Sequence, residues 1–129
     1  TYGDTVIAGL GRLLRQRFRH EDLRCRWGGE EFIVVLPGQK AELLERALGR
    51  VLKELSEMRF EASDRTTFSV TASAGVAARP DDGLSAEALI RLADRRLYQA
   101  KSNGRNRIVG PSSHYPDESR SGFRKQHIA

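Results

Sequence analysis

The sequence predicts a mixed α/β domain, and three observations carry that prediction. Apolar residues recur at three- and four-residue spacing in three separate stretches, the pattern of amphipathic helices. Between them lie runs that alternate polar with apolar residues or are rich in β-branched ones, two of them flanking a Gly-Gly pair, the pattern of strands and a hairpin. The order is therefore α, β-hairpin, α, β, α, β, a layered arrangement within 129 residues. A chain of that length makes one domain around one core.

In the first helix Val6, Ile7, Leu10, Leu13, Leu14 and Phe18 share a face, with arginines between them. Leu23-Arg24-Cys25-Arg26-Trp27 then alternates, and Phe32-Ile33-Val34-Val35-Leu36 is an apolar run, so Gly28-Gly29 falls at the hairpin turn. Pro37-Gly38 ends the second strand. A second helix is predicted from Ala41 to Met58, with Leu43, Leu44, Ala47, Leu48, Val51, Leu52 and Leu55 on its apolar side. Phe68 to Val76, built of β-branched and small residues, reads as a strand, and Pro80-Asp81-Asp82-Gly83 as a turn.

Ser85 can cap a third helix, with Glu87 in its first turn complementing the dipole. Leu89, Ile90, Ala93, Leu97 and Ala100 fall on its apolar side, and Gly104 is a natural residue to stop it. Arg107-Ile108-Val109 reads as the last strand. Past Gly110 the chain is Ser, Pro and charge without periodicity. Residues 1–110 are thus read as the domain and 111–129 as a polar tail or linker. The chain reaches its first helix within two or three residues, so a sheet made only of a hairpin and two later strands lacks an expected first member.

Composition excludes several classes. Apolar residues at 39% and charged residues at 30% describe a globular chain and not a disordered one. No apolar stretch approaches the roughly 18 to 20 residues that span a bilayer, and no signal peptide opens the chain. The lone Cys25 excludes an internal disulfide; lying in the alternating strand with Leu23 and Trp27, it reads as a core thiol. Trp27 reads as packing beside the turn. His20, His114 and His127 show no metal-ligand spacing. The formal charge of +5 favours anionic partners such as nucleotides, nucleic acid or acidic lipid, although a basic surface is usually only a solvated one. The strands lack the paired aromatics of RNA-stacking platforms, which ranks an RNA-binding role last.

Gly28-Gly29-Glu30-Glu31-Phe32 is the most informative segment. Glycines let the backbone turn tightly and leave room for a ligand to approach. Two adjacent carboxylates at such a turn can coordinate a hard cation or move a proton. On these five residues alone, a solvated hairpin tip stands equally well.

Further motifs fall around the pentapeptide: Tyr2-Gly3-Asp4 at the first helix start, Arg19-His20-Glu21-Asp22 separated from Gly28 by five residues, and Ser73-Ala74-Gly75-Val76. Ala93-Asp94-Arg95-Arg96-Leu97-Tyr98-Gln99-Ala100-Lys101 and Gly104-Arg105-Asn106-Arg107 follow. Together, from about Gly3 to Val109, they resemble the GGDEF diguanylate cyclase domains, in the GGEEF variant of their defining loop. The resemblance implies a nucleotide-cyclase or polymerase palm fold, with a central, mainly antiparallel sheet flanked by helices. It also implies that two GTP molecules, one on each of two facing domains, condense into cyclic di-GMP and two pyrophosphates with the help of Mg²⁺ (or Mn²⁺).

By the same resemblance Glu30 corresponds to a metal-ligating acid, and Glu31 to the acid beside the attacking 3′-hydroxyl, a base or second metal ligand. Gly28 and Gly29 let the backbone lie against the nucleotide. Asp4 matches the guanine-reading aspartate, while read alone it is a helix-start acid complementing the dipole. Lys101 and Arg105 match the residues that hold the β- and γ-phosphates, while read alone they are cations at a helix end. Arg19 and Asp22 match an inhibitory product site, to which Arg50 can supply a second arginine; read alone, Arg19 and Asp22 are a surface ion pair of little worth.

The family's usual opening, a strand with a metal-binding aspartate, a phosphate loop and a Lys-x-x-Asn-Asp segment, has no match ahead of Thr1. The chain is therefore expected to be part of a longer protein, with a sensory or receiver module upstream and activity as a homodimer. The family further implies a bacterial, cytoplasmic setting, alone or as the cytoplasmic part of a membrane-linked protein. No Glu-Ala-Leu phosphodiesterase segment follows. The alternative function is a non-catalytic cyclic di-GMP receptor or protein-interaction domain, which the unmatched opening favours and the intact loop disfavours.

Overall fold

In a computed structural model, which describes residues 2–19 and 23–113, the chain folds as α1 (Tyr2–Arg17), β1 (Leu23–Gly28), β2 (Glu31–Val35), α2 (Ala41–Glu57), β3 (Phe60–Glu61), β4 (Thr67–Phe68), β5 (Ala74–Gly75), α3 (Ala86–Ser102) and β6 (Ile108–Val109). The three predicted helices form where their apolar spacing puts them. Ser85 caps α3 as expected, its hydroxyl accepting from the Ala88 N–H at 3.1 Å. No described helix is long and apolar enough to cross a membrane.

One apolar interior joins the first half. Leu13 and Leu14 of α1 and Phe18 just past its end meet Val51 and Leu55 of α2 and Phe60 of β3, with Phe32 and Val34 of β2 packed against them. Each such side chain, once buried, contributes about 1.5–3 kcal/mol. Two predicted core residues lie outside. Leu43 is 39% exposed and Ile90 40% exposed. In α3 the inward stripe runs through Leu89, Ala93, Leu97 and Ala100 at four-, four- and three-residue steps, and Ile90 is rotated off it by about a quarter turn.

The strands form three two-stranded ladders among the described residues: β1–β2 and β3–β4 antiparallel, β5–β6 parallel. The palm-like α/β class is as expected, but the sheet is present as separate ladders. The strand predicted from Phe68 to Val76 is paired only near its two ends, because residues 69–73 have no ladder partner among the described residues. The hairpin of β3 and β4 was not legible beforehand. Its two-residue arms are too short to show a period, yet Phe60 and Phe68 stack across it at 5.7 Å.

α3 lies against β5 and β6. Gly75 makes that approach possible, since a Cβ there would overlap the Ala93 carbonyl oxygen and the Leu97 amide nitrogen. The polar segment read as a tail begins with a turn: the Ser113 N–H donates to the Gly110 carbonyl at 2.9 Å, and the Ser112 hydroxyl donates to Glu45 of α2. The remainder of that segment, with His114 and His127, lies outside the described residues.

Candidate nucleotide and cation site

The β1–β2 ladder ends with Gly28 opposite Glu31, which leaves Gly29 and Glu30 as a two-residue loop. The register shifts between Arg26 and Gly28, so an irregularity sits directly beside the tip, where bulges commonly re-aim side chains. Gly29 has φ +51°, and a Cβ there would meet nothing within 4 Å. The backbone is therefore turned by a glycine and open to approach.

Glu30 is exposed and Glu31 half-buried, and neither enters an ion pair among the described residues. Neighbouring carboxylates without a cationic partner repel one another and favour an incoming cation. Among the described residues no group of three or more His, Cys, Asp or Glu side chains converges. Two carboxylates without His or Cys are not the donor set of a structural zinc centre. They do fit Mg²⁺, which keeps several waters and takes one or two carboxylates together with substrate phosphates.

The end of α3 holds the basic residues. Lys101 is half-buried in the last turn. The helix closes in a Schellman motif: the Arg105 N–H donates to the Ala100 carbonyl at 2.9 Å and the Gly104 N–H to the Lys101 carbonyl at 3.5 Å, with Gly104 at φ +113°. Arg105 follows directly and is exposed. Asp4 lies exposed in the first turn of α1. The hairpin brings Gly28, Gly29, Glu30 and Glu31 together, and the helix end brings Lys101 and Arg105 together. No ladder joins these two groups among the described residues.

Of the expected product site, Asp22 lies outside the described residues, as does His20. Arg19 is exposed two residues past α1, and Arg50 is exposed on α2. Arg17 pairs with Glu54 of α2, one helical turn from Arg50.

Two features escaped the sequence reading. Arg96 clamps the loop before α3: its two Nη atoms donate to Asp82 at 2.8 and 3.0 Å, and Nη1 also donates to the Val76 carbonyl at 2.7 Å. Asp82 in turn accepts from the Ala78 N–H at 2.9 Å. The Arg96 guanidinium, with that N–H, holds the Asp82 carboxyl below its ordinary value against an opposing effect of burial. Asp82 offered a turn residue as a signal, but its partner lies 14 positions away. The second feature is Ser73, whose hydroxyl accepts from the Asn106 N–H at 3.0 Å across 33 positions. A cavity of about 240 Å³ between α3 and residues 109–113, lined in part by Arg95, Arg96, Gln99 and Ser113, includes none of the expected site residues.

An acidic hairpin tip suited to a hard cation and a basic helix end suited to phosphate, carried on this α/β frame, have the chemistry of a nucleotide-handling domain. Residues 1–107 match the family described as "Diguanylate cyclase, GGDEF domain", and the chain belongs to that family. It is 38% identical over 112 residues to Response regulator PleD of Caulobacter vibrioides, covering 86% of this chain and 25% of that protein. Over 114 residues it is 33% identical to Diguanylate cyclase A of Treponema denticola, covering 88% of this chain and 30% of that protein. The chain thus spans a quarter to three-tenths of the length of these two curated relatives.

Among solved structures, it is similar to the GGDEF domain of DgcB from Caulobacter crescentus in complex with c-di-GMP (TM-score 0.77, 27% identity, 85% of this chain and 65% of that one). It is also similar to the active GGEEF domain of a diguanylate cyclase from Vibrio cholerae (TM-score 0.75, 27% identity, 86% of this chain and 69% of that one).

Proposed function

We propose that this chain is the cyclase domain of a diguanylate cyclase, condensing two GTP into cyclic di-GMP and two pyrophosphates. The observation that carries the reading is the hairpin tip, an open Gly29 followed by two carboxylates that have no ion-pair partner among the described residues. In each of two transfers a ribose 3′-oxygen forms a bond to an α-phosphorus, the bond from that phosphorus to the bridging oxygen breaks, and pyrophosphate departs. Glu31 takes up the 3′-hydroxyl proton or shares cation binding with Glu30. Asp4 accepts from the guanine N1–H and exocyclic amine. Lys101 and Arg105 hold the β- and γ-phosphates, where positive charge matches the charge that develops on the leaving group. A divalent cation, Mg²⁺ or Mn²⁺, held by Glu30 and Glu31 would supply charge neutralisation at the phosphates.

One GTP per domain makes a homodimer the working unit, under an upstream sensory or receiver module, with product feedback through Arg19, Asp22 and Arg50. Incubating the complete protein with GTP and Mg²⁺ and separating the nucleotides by chromatography tests the reading. Cyclic di-GMP should form, and Glu31→Ala should lower its rate by about 100-fold or more with the fold retained. Turnover of that variant near wild type refutes the assignment. No product with retained cyclic di-GMP binding makes the chain a receptor instead.

A further inference from the structure

After α3 the backbone enters the left-handed region three times in succession, at Gly104 (φ +113°), Arg105 (+63°) and Asn106 (+50°). A glycine adopts that region freely and an asparagine tolerates it, but an arginine does so against steric resistance. The helix end needs only one such residue, since Gly104 completes the Schellman motif. Something else must hold the next two, because strained backbone persists only where its surroundings over-determine it.

Within the turn the Arg107 Nε donates to the Arg105 carbonyl at 3.0 Å, and Ser73 supplies the hold from outside it. Its hydroxyl accepts from the Asn106 N–H at 3.0 Å, the residue directly after Arg105. Ser73 is itself anchored. Next to it the Ala74 N–H donates to the Arg107 carbonyl at 3.0 Å, and β5 is pressed against α3 at Gly75, where no side chain fits. On the other side, the Arg105 N–H is tied to Ala100. The Arg105 backbone is thus pinned before and after, while its guanidinium stays exposed and engages no carboxylate among the described residues.

We infer that Ser73 is the positioning residue for Arg105, its hydroxyl fixing the left-handed turn that presents the guanidinium to the nucleotide's phosphates. The inference rests on the phosphate role proposed above for Arg105. A pinned turn leaves less backbone freedom to lose when the phosphates bind, so affinity gains by preorganisation. Ser73 acts through the backbone and touches no ligand.

The test measures, on the complete protein, dissociation constants for guanosine and for α,β-methylene GTP, whose α–β bridge cannot be cleaved. Losing one hydrogen bond should weaken the triphosphate analogue about three- to tenfold in Ser73→Ala and leave guanosine unchanged. Ser73→Thr, which keeps the hydroxyl, should restore the wild-type value. Equal weakening of both ligands, or none of the analogue, overturns the inference. Arg105→Ala separates it from its premise: analogue affinity unchanged there refutes the phosphate role itself, and the inference with it. A loss in Arg105→Ala without one in folded Ser73→Ala refutes the inference alone. Should Ser73→Ala fail to fold, amide exchange in the wild type decides. Protection of the Asn106 N–H supports the Ser73 hold, and exchange at the rate of an unstructured peptide removes it.

Discussion

Replacing Asp82 by Ala should cost this domain about 2–3 kcal/mol, far more than a surface carboxylate is worth. The figure follows from geometry. Asp82 accepts two hydrogen bonds from Arg96 and one from the Ala78 N–H, all between 2.8 and 3.0 Å. The two side chains retain only 17% and 12% of their exposure, for Arg96 and Asp82 respectively. Exposed pairs contribute about 0–1 kcal/mol, and breaking a fully buried pair costs about 3–5 kcal/mol, so a nearly covered bidentate pair falls between. Part of the cost is the Arg96 guanidinium, left with only the Val76 carbonyl. At this chain length the loss corresponds to a drop of about 8–12 °C in the thermal midpoint.

Urea and thermal unfolding followed by circular dichroism measure it, with Asp82→Ala, Arg96→Ala and the double variant closing a cycle. The single losses should exceed additivity by about 1 kcal/mol or more. A loss below about 0.5 kcal/mol, or strict additivity, refutes the clamp. Acidity provides an independent check. The folded carboxyl lies below its ordinary value of 3.8, so the pair's contribution is fully present above that value. It disappears as pH falls through the lower folded value, and the gap between wild type and Asp82→Ala should therefore close on acidification below about pH 4. A gap unchanged down to pH 2 contradicts the assignment.

Three further outcomes can be measured. Gly75→Ala should destabilise by at least about 2–3 kcal/mol, since its Cβ would collide with backbone atoms of α3 that no rotamer change can move; a wild-type urea midpoint contradicts the close approach. Phe60→Ala, removing a ring 5% exposed and stacked on Phe68, should cost about 3–5 kcal/mol by the same unfolding assay, and a cost under 1 kcal/mol places Phe60 outside the core. In the complete protein, Arg19→Ala should relieve inhibition by added cyclic di-GMP without lowering the initial rate, and an unchanged inhibition curve removes Arg19 from the product site.

What could be read in advance depended on the range of the interactions. The hairpin tip was legible because Gly28, Gly29, Glu30 and Glu31 are adjacent and the flanking periods name their strands. The α3 cap at Ser85 and its stop at Gly104 were legible because capping is settled within a few residues. The pairing of Phe60–Glu61 with Thr67–Phe68 was missed because two-residue arms carry no period, although the strand expected from Phe68 includes one end of it. The strand expected through residues 69–73 has no ladder partner among the described residues because a strand is a property of two segments, and propensity describes one.

By itself, the sequence determined the three helices, the hairpin with its acidic tip, the basic end of α3 and the GGDEF resemblance. Each rests on contacts between residues near in the chain or on a spacing that local chemistry requires. Only the tertiary structure decided that Arg96 clamps Asp82, that Gly75 lets β5 press on α3, and that Ser73 holds the turn carrying Arg105. Those depend on segments far apart in sequence, whose meeting is set by packing of the whole chain and leaves no period, cap or motif behind.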